Sequence, residues 1–382
     1  MSNLVEYFSA KQDDMVRLLT QLVKHETPSH NKAQVDALAD TIVEWMETTN
    51  PTSITRTPML DVGDMLIGRW NEDAPQKPVV VLMHMDTVWE MGTLARRPVR
   101  IDDEGRLYGP GAIDMKGGLA IAMTALEGLM DLDQMPNHPI WLAFTSDEEI
   151  GSAASEPHIS QLAEQAGLVM VMEPPTSDGA IKTGRKGVAT YSITVEGRAS
   201  HAGNHPEEGI NAVLEMAQQI IAISKLQDLR NGISVAVNTI QGGTATNVIP
   251  AQATATIDVR TFTQFDMDRV HEELMDLFPK IPGAKVTAEL HHMRGPMERD
   301  DQMESTFKQC QQIAKSIGLT VYEDTVGGGS DGNITASLGA PTLDGLGPRG
   351  AGLHAEHEHV IIRSLPQRAA HVAAMMRDWQ FG

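Results

Sequence analysis

Between residues 5 and 48 apolar positions recur three and four apart, through VEYFSAKQDDMVRLLTQLVKH and KAQVDALADTIVEWMET, which predicts amphipathic helices. The pattern then changes to short unbroken apolar runs, MLIGRW, PVVVLM, IWLAFT and LVMVM. The glycine-led helical segment KGGLAIAMTALEGLM lies between the second and third. Strands that are apolar on every side need cover on both faces. These runs therefore predict the centre of an α/β sheet flanked by helices on both faces.

Near residue 184 the pattern changes again. GVATYSITVEG, ISVAVNTIQGG and AQATATIDVRTF alternate, NAVLEMAQQIIAISKL and DMDRVHEELMDLF have helical spacing, and AKVTAELHH alternates once more. That β-α-β-β-α-β order predicts a small ferredoxin-like α+β domain, an open sheet with two helices on one side. After MRGPMERDD, helical spacing and unbroken apolar runs return, in ESTFKQCQQIAKSIG, PTLDGL and SLPQRAAHVAAMMRDW. A chain of 382 residues exceeds one ordinary core. The expected organisation is a discontinuous larger domain, residues 1–183 and 294–382, with a smaller domain, 184–293, inserted in it.

The balance of 30 Lys and Arg against 51 Asp and Glu, a formal charge of −21, argues against nucleic acid or an anionic membrane as partner. No apolar run approaches membrane-spanning length, and the opening residues lack the basic-then-apolar order of a signal peptide. Cys310 is the single cysteine, which excludes an intrachain disulfide and fits a reducing, cytoplasmic setting. Within STFKQCQQIAKSIG it is expected to be a small buried hydrophobe.

Some of the acid stands where carboxylates are costly. PVVVLM runs into His84, and Asp86 follows two residues later, on the same side of an extended segment. A carboxylate holding one imidazole nitrogen frees the other for a metal. An H-x-D pair alone is common by chance. Here, however, GPGAIDMKGG sets Asp114 on a glycine-rich bend before a helix, IWLAFTSDEEIGS ends a strand on Asp147, Glu148 and Glu149, and LVMVMEPP ends another on Glu173. Ligands of open α/β sheets gather beyond the carboxyl ends of strands, so these acids can meet His84 around a divalent metal.

The segments HMDTV, YGPGAIDMKGG, SDEEIGS, MEP, GRASHAGNHPEEGINAV, TATNVIP, TVGGGSD and LHAEHEHV follow one another from about residue 78 to the end. In that order they resemble the di-zinc aminoacylase/carboxypeptidase family of acetylornithine deacetylase, succinyl-diaminopimelate desuccinylase and, most nearly, the bacterial glutamate carboxypeptidases. The resemblance implies a zinc-exopeptidase-like mixed sheet with a dimerisation or lid domain inserted. It implies two Zn2+ per subunit, with Co2+ or Mn2+ able to substitute. His84 and Glu173 would hold one ion, Glu149 and a late histidine the other, and Asp114 would bridge them around a shared hydroxide. Glu148 resembles the general base, Asp86 the residue orienting His84, and the Asp114–Met115 peptide one that is cis in the family.

The late histidine is one of His354, His357 and His359. The family's histidine stands shortly before an acidic-aromatic pair and an apolar strand. That arrangement selects His354 before Glu358 and Val360, with His359 in the aromatic's place. His201 resembles the oxyanion donor that reaches across a homodimer formed through the inserted domain. Asn247 and Arg260 resemble groups that bind a substrate's α-carboxylate, with backbone N–H groups of Gly328 and Gly329 available to the same carboxylate. Arg185 and Lys186 depart from the nearest relatives and receive no role.

The expected substrate is a small peptide or N-acyl amino acid with a free α-carboxylate. Release of C-terminal glutamate comes first and deacylation of an N-acyl amino acid second. Two rivals remain. Gly328-Gly329-Ser330-Asp331-Gly332 matches a serine-hydrolase elbow, with Asp344 and His354 in triad order, but leaves the upstream acids unexplained. A metal-binding scaffold without chemistry is the other, although Glu148 and every expected ligand are present.

Overall fold

The structure is a computed structural model that describes residues 4–381. The chain divides into two compact units. The first runs to Thr183 and takes up Arg299–Thr325 and the chain from Ser330 onward; the second comprises Gly184–Glu298 and Val326–Gly329.

The first unit is built on a six-stranded mixed sheet in the order Ser53–Thr57, Met65–Trp70, Ile140–Thr145, Val79–His84, Leu168–Val171, Thr342–Leu343. Val79–His84 pairs in parallel with both neighbours, and Met65–Trp70 lies antiparallel to Ile140–Thr145. Every residue of Val79–His84 and Ile140–Thr145 is buried, as their unbroken apolar sequence requires. On one face Val80, Leu82 and Val169 pack with Ile159 and Leu162 of helix Glu156–Gln165 and Ile334 of helix Asp331–Ser337. The long helices Gly117–Asp131 and Ser364–Asp378, buried along most of their length, complete the core.

A second, four-stranded sheet was not expected from the sequence. It runs in the order Gly350–Ala351, His359–Ile361, Arg106–Tyr108, Arg100–Ile101, and its strands are two or three residues long. Val360 lies opposite Leu107. The pairing carries the turn between residues 351 and 359 to the segment that precedes Asp114.

The second unit is an antiparallel sheet, ordered Ser234–Gly242, Gln252–Thr261, Gly187–Glu196, Lys285–Arg294, with helices Ala212–Ile223 and Gln264–Met275. Alternate residues Ala189, Tyr191, Ile193 and Val195 pack with Met216, Ile223, Val270 and Leu274. This is the ferredoxin-like arrangement.

Its boundaries differ from those read in the sequence. The insertion ends at Glu298 and not at residue 293, and it takes in Val326–Gly329. The second change has a local cause. Lys186 donates its N–H to Val326 O at 3.2 Å, and Arg185 Nη1 donates to Gly328 O at 2.9 Å and Gly329 O at 3.1 Å.

Candidate active site

His84 is the last residue of its strand and is buried. Its Nδ1 lies 3.0 Å from the Asp86 carbonyl oxygen and 3.4 Å from Asp86 Oδ1, so residue 86 meets the ring through its backbone as well as its carboxylate. The Asp86 carboxylate also accepts from Ser29 Oγ at 2.6 Å and from the backbone N–H groups of Glu148 (3.3 Å) and Glu149 (3.2 Å). One buried aspartate thus ties the end of one central strand to the turn that ends its neighbour.

His84 Nε2 lies 3.3 Å from Asp114 Oδ1 and 3.3 Å from Glu173 Oε1. His354 Nε2 lies 3.2 Å from Asp114 Oδ2 and 3.2 Å from Glu149 Oε2. Asp114 therefore offers one oxygen to each histidine, and its peptide to Met115 is cis. The structure brings together His84, Asp114, Glu149, Glu173 and His354, with Glu148 within reach of His84 and Glu173.

These separations suit a cation. Zinc binds imidazole nitrogen and carboxylate oxygen at about 2.0–2.2 Å, so two ligand atoms of one tetrahedral ion lie about 3.3–3.6 Å apart. The donors are imidazoles and carboxylates without thiolate, a set that accepts Zn, Co or Mn. Glu149 Oε1 is buried without a hydrogen-bond partner, as befits an oxygen kept for a cation. The residues fit a pair of divalent ions.

Electrostatics agree. Burial alone would lower the His84 pKa, but hydrogen bonds to Asp114, Asp86 and Glu173 outweigh it and raise it well above the usual value. His354 is pushed up to about 10 by its bonds to Asp114 and Glu149. Burial, then the charge of Glu173, raises the Glu148 carboxyl well above the ordinary range.

Sequence reasoning used Glu358 only as a landmark, yet it organises the Asp114 bend. Its buried carboxylate accepts from Trp89 Nε1 (2.7 Å) and from the N–H groups of Gly111 (2.9 Å), Ile113 (3.0 Å) and Asp114 (3.4 Å). Burial pushes its pKa up to about 7. Asp331 was also missed: it accepts from Thr145 Oγ1 at 3.3 Å and from Ser152 Oγ, bracing the strand and turn around Glu148. Both stand in segments quoted above, Asp331 in TVGGGSD and Glu358 in LHAEHEHV, but nothing local in the sequence shows what either carboxylate holds.

The serine-hydrolase reading fails. Ser330 is buried, donates its hydroxyl to Asp344 Oδ2 at 2.5 Å, and caps helix Asp331–Ser337 in a reciprocal bond with Asn333. Asp147 accepts from Ala154 N–H at 2.8 Å and Ser155 N–H at 3.2 Å, which fastens the turn after its strand. Cys310 is buried, with Sγ 3.5 Å from His371 Nε2.

His201, Asn247, Arg260, Gly328 and Gly329 belong to the second unit. His201 lies opposite Val248 in a short strand pair. Its Nδ1 accepts from the N–H groups of Gly203 and Asn204, both at 3.1 Å, which leaves the proton on an exposed Nε2. The Asn247 carbonyl accepts from Ala202 N–H at 2.9 Å. Arg260 Nε donates to Asp258 Oδ1 at 3.0 Å, and its Nη1 lies 3.5 Å from Gly327 O. The space beside the Cα atoms of Gly327 and Gly328 is open.

Residues 80–378 match the model of peptidase family M20/M25/M40. The chain belongs to that family. It is 29% identical to carboxypeptidase G2 of Pseudomonas sp. (strain RS-16), over 96% of this chain and 90% of that one. It is 28% identical to succinyl-diaminopimelate desuccinylase of Alkalilimnicola ehrlichii (strain ATCC BAA-1101 / DSM 17681 / MLHE-1), over 68% and 71% of the two chains. The crystal structure of aminopeptidase PepT from Bacillus cereus ATCC 10987 superposes with a TM-score of 0.78 at 20% identity, covering 96% of this chain and 98% of that one. The fold is that of the M20 peptidases, and the protein is an enzyme, a metal-dependent hydrolase of this family. No helix among the described residues is long and apolar enough to cross a membrane.

Proposed function

We propose that this M20 enzyme cleaves the amide joining a peptidyl or acyl group to a C-terminal amino acid, glutamate before others. The observation that carries the reading is Asp114 set between two histidines, each with a carboxylate of its own, Glu173 beside His84 and Glu149 beside His354. His84, Glu173 and Asp114 would hold one divalent ion; His354, Glu149 and Asp114 would hold the second, with zinc the first choice. Bound there, the ions supply Lewis acidity and make water a nucleophile near neutral pH.

The chain's own groups do the rest. Glu148 takes a proton from the attacking water and delivers it to the departing amine nitrogen, so the proton balance closes without outside acid. A carboxyl raised by burial and by Glu173 is suited to carry that proton between the two steps. Asp86 keeps the His84 ring and the Glu148–Glu149 backbone in register. The exposed Nε2–H of His201, given by a second subunit, donates to the oxyanion that develops on the substrate carbonyl. Arg260, Asn247 and the backbone of Gly328 and Gly329 bind the α-carboxylate.

Dimerisation through the second unit is supported by apolar side chains exposed on its helix and edge strand: Leu214 (53%), Ile221 (61%) and Ile240 (53%). The single cysteine, which excludes an intrachain disulfide, fits a reducing, cytoplasmic setting.

The deciding experiment assays the metal-loaded protein on N-acylated and peptidyl amino acids that differ in C-terminal residue, acyl group and free acid against α-amide. Preferential release of glutamate from the free acids supports the proposal. Turnover set by the acyl group and indifferent to the amino acid would favour N-acyl-amino-acid deacylation. Equal cleavage of acid and amide would remove the carboxylate subsite.

A further inference from the structure

Many arginines of this acidic chain are paired with carboxylates. Arg17, Arg56, Arg106, Arg269, Arg299 and Arg377 each form an ion pair with Asp or Glu. Three neighbours in the first unit behave differently. Among the described residues Arg96, Arg97 and Arg100 have no acidic partner; Arg96 bonds to Thr93 Oγ1 at 3.2 Å and Arg97 to Ala355 O at 3.5 Å. They line one cavity of about 220 Å³ with Pro98, Tyr108, Gly109 and Glu356.

Two of the guanidiniums are fixed by stacking. Arg97 Cζ lies 4.4 Å from the Trp89 ring centroid and Arg100 Cζ 3.7 Å from that of Tyr108, which itself packs on His359 at 5.1 Å. Stacking occupies a face of the guanidinium and leaves its N–H edge to bond in plane. Arg97 Nη1 is buried and has no hydrogen-bond partner. A buried charged donor without an acceptor is costly, and the three guanidiniums outnumber the one carboxylate of the lining, Glu356, so the small space keeps a net positive charge. Both costs fall if an anion sits between them. Liquid water takes about 30 Å³ per molecule, so the cavity has room for a small oxyanion and a few waters.

We propose that this cavity is an anion-binding site of the catalytic unit, in which Arg96, Arg97 and Arg100 hold a phosphate- or carboxylate-type oxyanion. The anion is either free in solution or a carboxylate borne by the acyl or peptidyl arm of the substrate. The site adjoins the metal-binding residues along one wall. Arg97 bonds the carbonyl of Ala355, next to His354, and its stacking partner Trp89 donates to Glu358. Occupancy therefore braces the turn that carries His354.

The test titrates inorganic phosphate into the metal-loaded enzyme by calorimetry, comparing the parent with Arg97→Met, Arg97→Lys and Arg100→Met. Binding at the metals would be common to all four; the proposal concerns the component that depends on arginine. That component should be saturable in the parent and weaken as salt is added. It should be at least tenfold weaker in both methionine variants and fall less in Arg97→Lys. Identical isotherms for the parent and both methionine variants, or no saturable arginine-dependent component, overturn it. Arg100 is exposed, so its variant keeps the test valid if Arg97→Met fails to fold.

A kinetic arm separates the sources. With N-acyl glutamates that carry or lack a distal carboxylate, a KM rise in Arg97→Met confined to the carboxylate-bearing substrate identifies the substrate as the source. Unchanged KM for both, with phosphate binding lost, identifies a free anion. The titration needs no turnover, so its outcome is independent of the substrate class proposed above.

Discussion

The carboxylate of Glu358 receives the backbone N–H of Ile113 at 3.0 Å, across 245 residues of sequence. Glu358 stands four residues after His354, and Ile113 immediately before Asp114. The pair therefore holds the segments of two proposed metal ligands, His354 and Asp114, at a fixed spacing. Glu358→Gln keeps the size but turns an amide N–H toward donors that need an acceptor. Metal affinity should fall by the ~10–100-fold typical of lost support behind ligands. Competitive chelator titration measures it, and unchanged affinity for both equivalents would show that the bend holds itself.

Glu148 and Glu149 are adjacent, yet only Glu149 lies at hydrogen-bonding distance from His354. Glu148→Gln should keep both metals and the fold while turnover drops by ~10²–10⁴, the usual cost of losing a general base. Elemental analysis showing one metal equivalent lost would mean that the two glutamates have been assigned in reverse.

The cross-subunit role proposed for His201 has an arithmetic test. Glu148→Ala and His201→Ala homodimers should each be nearly inactive. Random subunit exchange makes half the dimers mixed, and each mixed dimer has one site with its own Glu148 and a borrowed His201. About a quarter of all sites should then recover in a twofold assembly. Verified mixed dimers without activity would place the histidine's work elsewhere.

His371 predicts part of the acid sensitivity. Burial, then the charge of Arg368, lowers its pKa from 6.5 to about 3. As pH falls below 6.5 the unfolded chain takes up a proton that the folded chain refuses, so this contribution to stability is present above 6.5 and is lost on acidification. The slope approaches about 1.4 kcal/mol per pH unit. His371→Gln should flatten the fall of the urea midpoint between pH 7 and pH 5; parallel curves for parent and variant would refute it.

Much of the architecture was legible because long patterns are redundant. Six consecutive buried residues in Val79–His84 announce a central strand, and four alternating residues in Gly187–Glu196 announce a one-sided sheet. The small sheet through His359–Ile361 was not legible, since strands of two or three residues contain too little alternation to register as a period. Glu358 and Asp331 were missed for a related reason. Their partners, Gly111 to Asp114 for one and Thr145 and Ser152 for the other, lie far away in sequence, and no spacing rule links them. Arg185 looked idle because its acceptors, the carbonyls of Gly328 and Gly329, are more than a hundred residues downstream.

That last contact sets a rule for dissecting the molecule. Residues 184–298 look excisable as one continuous gene fragment, yet Val326–Gly329 belongs to the same unit and would stay behind. The fragment would forfeit two carbonyl acceptors of the buried Arg185 and the carbonyl bonded by Lys186 N–H. A faithful isolated unit needs the tetrapeptide restored by a linker after Glu298, or supplied in trans as a complementing peptide.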